Sequence, residues 1–464
     1  MTGIVWFRND LRLEDNLALS HACEEQDCLI LLYIQDPNSP LILGEAQTWW
    51  LHQSLSSFQQ KLEQHSLKLC LKRGDSLAIL REMTKAHHVT QIYWNTVYEP
   101  LQLQRDAMIK AFFKDEGVSV KSYNSSLLIE PENIKTQENT FYKVFTPFWK
   151  QCLREIQVPK VTTISKHPSS PDLESEDLSE WNLLPSSPNW ANKFHDFWIP
   201  GEDGAQQQLE NFIERSLAQY ADKRDMLAEQ ATSRLSPHLH FGELGPRQVW
   251  RAMVAAEDSA DISDKAVDKF LAEVGWREFS YYLLYHFPKL PKENVQSKFD
   301  DFPWEEDEEA LNRWQTGQTG YPIVDAAMRE LWETGYMHNR ARMIVASFLT
   351  KDLLIDWRKG ADWFLHTLLD ADLANNSAGW QWVAGSGADA APFFRIFNPV
   401  LQSEKFDPNG EYIKQWIPEL RDVSTKIIHA PWKSDKKIKD YPEPMVDHSN
   451  ARELALERYK QITS

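Results

Sequence analysis

Four short stretches in the second half of the chain carry side chains able to hold a planar or phosphorylated group. In Glu273-Val274-Gly275-Trp276-Arg277-Glu278-Phe279, residues Glu273, Trp276 and Arg277 stand at i, i+3 and i+4. A helix would therefore gather a carboxyl, an indole and a guanidinium on one face. Such a set can hydrogen-bond and stack on a nucleobase; a helix surface with one buried tryptophan fits it as well. In Met337-His338-Asn339-Arg340-Ala341-Arg342-Met343, Asn339 and Met343 lie one turn apart, and Arg342 can pair with an acid. Asp370-Ala371-Asp372 offers two acids, Asp370 and Asp372, although a purely structural ion pair accounts for Arg342 equally. His338 has no Asp/His/Cys cluster around it and reads as a satisfied histidine, not a metal ligand. Asn376 and Trp380 are i and i+4 in Asn375-Asn376-Ser377-Ala378-Gly379-Trp380-Gln381-Trp382, where an amide and an indole could flank a planar cofactor. Paired asparagines followed by small residues are poor material for a plain core helix. Finally, Thr232-Ser233-Arg234-Leu235-Ser236-Pro237 puts hydroxyls and an arginine before a proline-started helical pattern. That suits a phosphate at a helix N-terminus or an ordinary cap.

These residues must be positioned by the elements around them. Residues 3 to 130 alternate apolar runs (Ile4–Phe7, Leu29–Ile34, Leu67–Leu71, Val89–Trp94, Val118–Tyr123) with helix-like stretches (Asn16–Glu25, Ala46–Gln64, Ser76–His87, Leu101–Glu116). Strands buried on both faces between amphipathic helices predict an α/β domain with a doubly wound parallel sheet. The turn Arg8-Asn9-Asp10-Leu11-Arg12 lacks G-x-G-x-x-G, so the usual dinucleotide fingerprint is absent. Residues 160 to 205 hold Ser169-Ser170-Pro171-Asp172, Ser186-Ser187-Pro188 and the acidic run Glu174–Glu180, the composition of a linker. From Gly204 the pattern is helical, with Phe270–His286, Ile323–Thr334 and Met337–Leu354 at helical spacing. The expected organisation is an α/β domain over 1–130, a linker over 131–203 and a large all-α domain over 204–464.

Composition narrows the function classes. Hydrophobic residues are 42% and charged residues 25% of 464, as in a folded globular protein. No run approaches a membrane span, and no basic region followed by an apolar stretch opens the sequence, so a cytoplasmic protein is expected. Cys23, Cys28, Cys70 and Cys152 make no C-x-x-C pair and read as reduced, mostly buried thiols. A net charge of −18 argues against wholesale coating of nucleic acid. Any DNA contact must be a local basic strip, for which Lys223, Arg224, Arg277, Arg340, Arg395, Lys405 and the stretch 433–439 are available. Of 19 tryptophans, nine fall between Trp276 and Trp416, which fits an aromatic core, an electron path or a stacking cleft.

Together the motifs resemble the photolyase/cryptochrome family over nearly the whole chain, and class I cyclobutane pyrimidine dimer photolyases most. The resemblance runs through Val5–Arg12, Tyr142–Phe148, Thr232–Pro237, Trp276–Phe279, Thr319–Asp325, Met337–Met343 and the run from Leu368 to Pro399. It implies an FAD-binding helical domain. By match to the family's motifs, Tyr220, Thr232, Ser233, Arg234, Leu235 and Ser236 hold the phosphates. Arg342 and Asp370 pair beside the isoalloxazine, Asp372 lies near it, and Asn376 faces flavin N5. The implied lesion pocket is Glu273, Trp276, Asn339, Met343 and Trp382, with Arg224, Arg277 and Arg340 near the DNA backbone or the pocket rim. Trp380, Trp357 and Trp304 match the family's electron-transfer chain. The implied activity is light-driven splitting of pyrimidine dimers in damaged DNA by electron transfer from excited FADH⁻, in a monomer free of membranes.

Six-four photolyases use paired histidines near the substrate, where this chain has Asn339 and Met343. Plant cryptochromes usually place aspartate at the position of Asn376, and animal ones cysteine. A cryptochrome-type receptor and a six-four photolyase are the rival readings. The sequence ends at Ser464 without the long tail of many signalling cryptochromes, which also points to repair. Tyr336 and Phe270 stand where several members have tryptophan. A second, antenna chromophore is expected near Asp36-Pro37 and Tyr98-Glu99-Pro100, but Leu101 and Gln102 replace the asparagine and glutamate of some folate-binding members. Folate, a deazaflavin, another flavin or an empty site are all compatible with that pattern.

Overall fold

The computed structural model describes residues 1–39, 43–157, 160–164, 166, 168–257, 262–434 and 438–463. Lys436 and Lys437 of the expected basic strip lie outside them. The chain forms two compact units. One comprises Met1–Asn189, Trp198–Ala218 and Ser233–Pro288; the other comprises Trp190–Phe197, Gln219–Thr232 and Lys289–Ser464.

The first unit is built on a five-stranded sheet, with β1 (Thr2–Phe7), β2 (Cys28–Gln35), β3 (Leu69–Arg73), β4 (Gln91–Asn95) and β5 (Ser119–Tyr123) in the order β3-β2-β1-β4-β5. All neighbouring pairs are parallel, with Ile4 beside Ile30 and Ile92. The intervening helices α1 (Leu17–Glu25), α2 (Glu45–Gln64), α3 (Ser76–Ala86) and α4 (Pro100–Asp115) follow the expected alternation. Asn16 and Asp75 cap α1 and α3 through their side chains. Ile4, Trp6, Ile30, Leu32, Ile92 and Trp94 form one apolar core of the sheet, which is why these strands read as unbroken hydrophobic runs.

The strand order reverses between β1 and β4, the topological switch point of a doubly wound sheet. Beyond their carboxyl ends Arg8 pairs with Asp106 at 2.8 Å, and Asn95 donates to Asp10 at 2.6 Å. A partly open cavity of about 20 Å³ lies among Arg12, Tyr98, Ser125, His240 and Arg277. It is the size of a water molecule, far below that of a pterin or a flavin. Asp36 accepts hydrogen bonds from the Ser76 amide (3.0 Å) and hydroxyl (2.6 Å), Gln102 is buried and Leu101 is exposed.

Two further helices of this unit matter below: α5 (Phe145–Glu155) and the Trp276 helix (Asp264–His286). They pack closely because residue 275 is glycine. A Cβ there would stand 2.6 Å from the Trp149 ring.

The second unit is helical, around an apolar cluster that includes Trp314, Val345, Phe348, Trp357, Phe364 and Trp380. Two expectations need correction. Met337–Leu354 is not one helix: the α-helix is Asn339–Ser347, begun by His338 as its cap, and a π-helical turn over Phe348–Asp352 follows. Asn375–Trp382 does lie in a regular helix, Leu373–Ala384. Asp372 supplies its N-cap by accepting from the Asn375 amide at 2.7 Å, and that stabilises a start the asparagines alone disfavour.

Candidate functional site

In the helical unit, the loop before the Asn376 helix (Leu373–Ala384) brings Asp370 to Arg342, with a 2.9 Å ion pair. Arg342 Nε also donates to the Met337 carbonyl at 2.7 Å, so the guanidinium is held from two sides. Asp370 is buried, and its second oxygen, Oδ1, has no hydrogen-bond partner among the described residues. Asn376 donates its Nδ2 to Ala361 O at 3.0 Å, in the Trp357 helix (Trp357–Thr367). The amide is thereby oriented, and its Oδ1 accepts no hydrogen bond among the described residues. Asp372 is occupied in capping, through Asn375 N at 2.7 Å and Asn375 Nδ2 at 2.9 Å.

The Asn339 helix (Asn339–Ser347) starts with His338 Nδ1 accepting from Arg340 N at 3.1 Å. Burial pushes the His338 imidazole down to about 4, so it caps the helix as a neutral acceptor. The expected satisfied histidine is satisfied at Nδ1 only: its buried Nε2 has no hydrogen-bond partner among the described residues. Asn339 is exposed, and Met343, one turn on, is half-buried, as is Trp382. Arg340 pairs with Asp225 at 2.9 Å and lies 4.5 Å over the Phe406 ring. Arg224 covers the buried Tyr220 ring at 5.5 Å. Tyr336 lies under the Arg342 guanidinium at 5.5 Å.

Trp380 and Trp357 are buried in the same apolar cluster, and the half-buried Trp304 packs against it. The Trp357 helix comes close to Trp380 because residue 360 is glycine, whose missing Cβ would lie 2.1 Å from that indole.

In the sheet-containing unit, Trp276 stacks on Phe145 at 3.9 Å, and Phe145 in turn lies parallel to Trp149 at 6.3 Å. Glu273 is half-buried one turn before Trp276. The Arg277 guanidinium donates to Ser126 O at 2.9 Å, pairs with Glu278 at 3.3 Å and lies 5.0 Å over Tyr281. With 12% of its side chain exposed it ties the Trp276 helix to the segment after β5. Sequence reasoning missed Glu278, which is 4% exposed and accepts from Leu128 N at 2.8 Å and Ile129 N at 3.4 Å. Burial pushes its carboxyl up to about 7, against the opposing pull of Arg277 and the two amides.

The 233–236 segment does not form an ordinary cap. The helix that follows, Ser236–His240, has no side-chain cap. The hydroxyl of Ser236, and that of Thr232 in the helical unit, make no hydrogen bond among the described residues. Arg234 has φ +54° and lies 4.3 Å over Trp198, while Gln208 donates to Ser233 O at 2.8 Å. Leu235 is buried.

Comparison with known proteins bears on this arrangement. Residues 270–461 match the model of the FAD binding domain of DNA photolyase, and residues 3–169 match that of DNA photolyase. The chain belongs to the DNA photolyase and cryptochrome family. A deoxyribodipyrimidine photo-lyase of Agrobacterium fabrum is 46% identical over 99% of this chain and 98% of that protein. Cryptochrome-2 of Arabidopsis thaliana is 36% identical over 97% of this chain and 77% of that one. Among solved structures, a class III photolyase from Agrobacterium tumefaciens aligns with a TM-score of 0.96 at 46% identity, covering 100% of this chain and 98% of the other. An archaeal photolyase from Sulfolobus tokodaii with two FAD molecules aligns at 0.85 and 32%, covering 99% and 100%. The expected nearness to class I is corrected by this kinship with a class III enzyme.

The chain therefore carries the photolyase FAD-binding domain, and its residues fit the cofactor. Among the described residues Asp370 Oδ1 and Asn376 Oδ1 are acceptors without protein donors, as the polar edge of an isoalloxazine requires. Among the described residues no helix is long and apolar enough to cross a membrane.

Proposed function

We propose that this protein splits cyclobutane pyrimidine dimers in DNA under light, as a photolyase akin to the class III enzymes. The observation that carries the reading is Asn376, an asparagine with its amide fixed by Ala361 O, four residues after Asp372 and six after the buried Asp370 that pairs with Arg342. Plant cryptochromes usually place aspartate at that position, and animal ones cysteine. Asn339 and Met343, in place of paired histidines, favour the dimer over the six-four lesion.

The chemistry that bound FAD supplies is light-driven donation of one electron to the lesion and its recovery, without net redox change. Arg342, Asp370, Asp372 and Asn376 orient the isoalloxazine, and Tyr220, Thr232 and the segment 233–236 hold the phosphates. Trp276 and Trp382 are apolar walls for the extruded dimer, whose poor stacking lowers the cost of flipping. Glu273 and Asn339 hydrogen-bond its edges, and Glu273 stabilises the charge that develops there. Arg224 and Arg340 contact the DNA backbone. Residues 1–130 serve an antenna chromophore, 131–203 link, and 204–464 bind FAD and act catalytically, in a cytoplasmic monomer. The water-sized cavity at the switch point favours an antenna held elsewhere.

The test is direct. Purified, reduced protein is incubated with ultraviolet-treated oligothymidine in light and in darkness, and dimers are counted. Loss in light alone supports the proposal; a Glu273→Ala variant should keep FAD and repair far more slowly. Bound FAD without dimer loss would overturn the proposal and leave the six-four photolyase and the cryptochrome-type receptor, the latter supported by the 36% identity to Cryptochrome-2.

A further inference from the structure

Trp380 and Trp357, two of the three tryptophans that match the electron-transfer chain, differ in one respect that their spacing does not show. Trp380 is 3% exposed, and its indole Nε1 has no hydrogen-bond partner among the described residues. Trp357 is fully buried, yet its Nε1 donates to Asn294 Oδ1 at 2.9 Å. Asn294 is 9% exposed, and its Nδ2 donates in turn to the exposed Asp300 carboxylate at 2.8 Å. That second bond decides which way the amide faces: nitrogen toward the acid, oxygen toward the indole.

The loop carrying Asn294 is fixed by Gln381, the residue between Trp380 and Trp382. Gln381 is fully buried. It donates Nε2 to Leu290 O (2.7 Å) and Glu293 O (2.9 Å), and its Oε1 accepts from Val295 N at 3.1 Å. Gln296 adds bonds to Gly385 O at 3.1 Å and Gly387 O at 2.8 Å. Asn294 is thus held against Trp357 by a clamp rooted in the helix that carries Trp380.

We propose that Asn294, oriented by Asp300, is a positioning residue that makes Trp357 a more stable seat than Trp380 for the positive charge left by electron loss. The inference rests on reading Trp380, Trp357 and Trp304 as an electron path. An oxidised indole is a far stronger N–H donor than a neutral one, so an acceptor already in place stabilises the cation in a low-dielectric interior. Trp380 has no such acceptor, and the difference directs the charge outward. Arg358 opposes it, with its guanidinium 4.7 Å over the Trp357 ring, but Asp356 pairs with that group at 3.0 and 3.1 Å and offsets much of its charge. The balance is complete. Trp380 gives one electron to the photoexcited oxidised isoalloxazine, and Trp357 gives one to the Trp380 cation. The indole proton stays on Trp357 Nε1 within the bond to Asn294. The charge passes to Trp304 and is filled by an external thiol.

The experiment is flash photolysis of the oxidised, FAD-bound full chain with a thiol present, following the absorption of the tryptophan radical. The indole N–H resonances of ¹⁵N-tryptophan-labelled protein are recorded in parallel. Asn294→Leu removes the acceptor at similar volume, and the long-lived radical should fall on the order of tenfold in yield. Asp300→Asn, an exposed change, should give a smaller fall in the same direction. Asn294→Leu should also move the Trp357 indole resonance, assigned with Trp357→Phe, upfield. If Trp357→Phe leaves the long-lived radical intact, the electron-path reading itself fails. If Trp357→Phe abolishes it while Asp300→Asn and Asn294→Leu match the unaltered protein, the role of Asn294 is overturned. Should Asn294→Leu not retain FAD, the Asp300→Asn yield alone decides.

Discussion

Replacing Glu278 by glutamine should change how stability depends on pH, and in a direction opposite to that of most carboxylates. Glu278 is 4% exposed and receives two backbone amides and Arg277, yet burial still raises its carboxyl to about 7 from an ordinary 4.5. A carboxyl raised on folding holds its proton more tightly in the native state. Its stabilising contribution is fully present below the unfolded value, near 4.5, and is lost as pH rises through about 7. Each pH unit between those two values is worth about 1.4 kcal/mol, so the native protein should lose about 3 kcal/mol across the window. Glutamine keeps the shape and one acceptor oxygen but does not titrate. Glu278→Gln therefore carries a constant offset from the loss of a charged partner for Arg277, and lacks the slope. The assay is the thermal midpoint of both proteins in matched buffers from pH 5 to 8. The Tm difference between variant and wild type should move in favour of the variant by roughly 5 °C as pH rises. Parallel Tm profiles would refute the reasoning, because they would mean that Glu278 is ionised at the same pH in both states.

Other perturbations test separate parts of the structure. Gly275→Ala places a methyl 2.6 Å from the Trp149 ring, which is boxed in by Phe145 and Trp250, and should cost about 1–3 kcal/mol, read as a lower Tm. Asp370→Asn leaves the Arg342 guanidinium without its anion and should weaken FAD retention at least about tenfold, measured by flavin absorbance after dialysis. Arg340→Ala should weaken binding to dimer-bearing DNA and reduce the slope of log affinity against log salt by about 1, whereas Arg277→Ala should leave that slope unchanged.

The sheet was largely legible in the sequence because strands buried on both faces cannot hide their composition: Leu29–Ile34 and Val89–Trp94 match β2 and β4 within two residues at every end. What failed had local causes. The apolar pattern from Met337 to Leu354 runs through a cap and a π turn without a break, since both keep side chains near helical spacing. Asn375 and Asn376 looked unsuited to a helix because the compensating cap comes from Asp372, outside their own propensity. Asn294, Gln381 and Glu278 left no signal at all. Each is a single polar residue whose decisive partners lie far along the chain (Asn294 to Trp357, Gln381 to Leu290, Glu278 to Leu128), and neither periodicity nor motif registers such a bond.

The cap at His338 has a consequence for the helix that carries Asn339 and Met343. Protonation would turn its acceptor nitrogen into a second donor facing the Arg340 amide, and the first turn bearing Asn339 would lose its anchor. Because the imidazole is held near 4, that failure waits for acid far below neutrality. The register of Asn339, Arg340 and Met343 is thus insulated from ordinary swings in proton concentration.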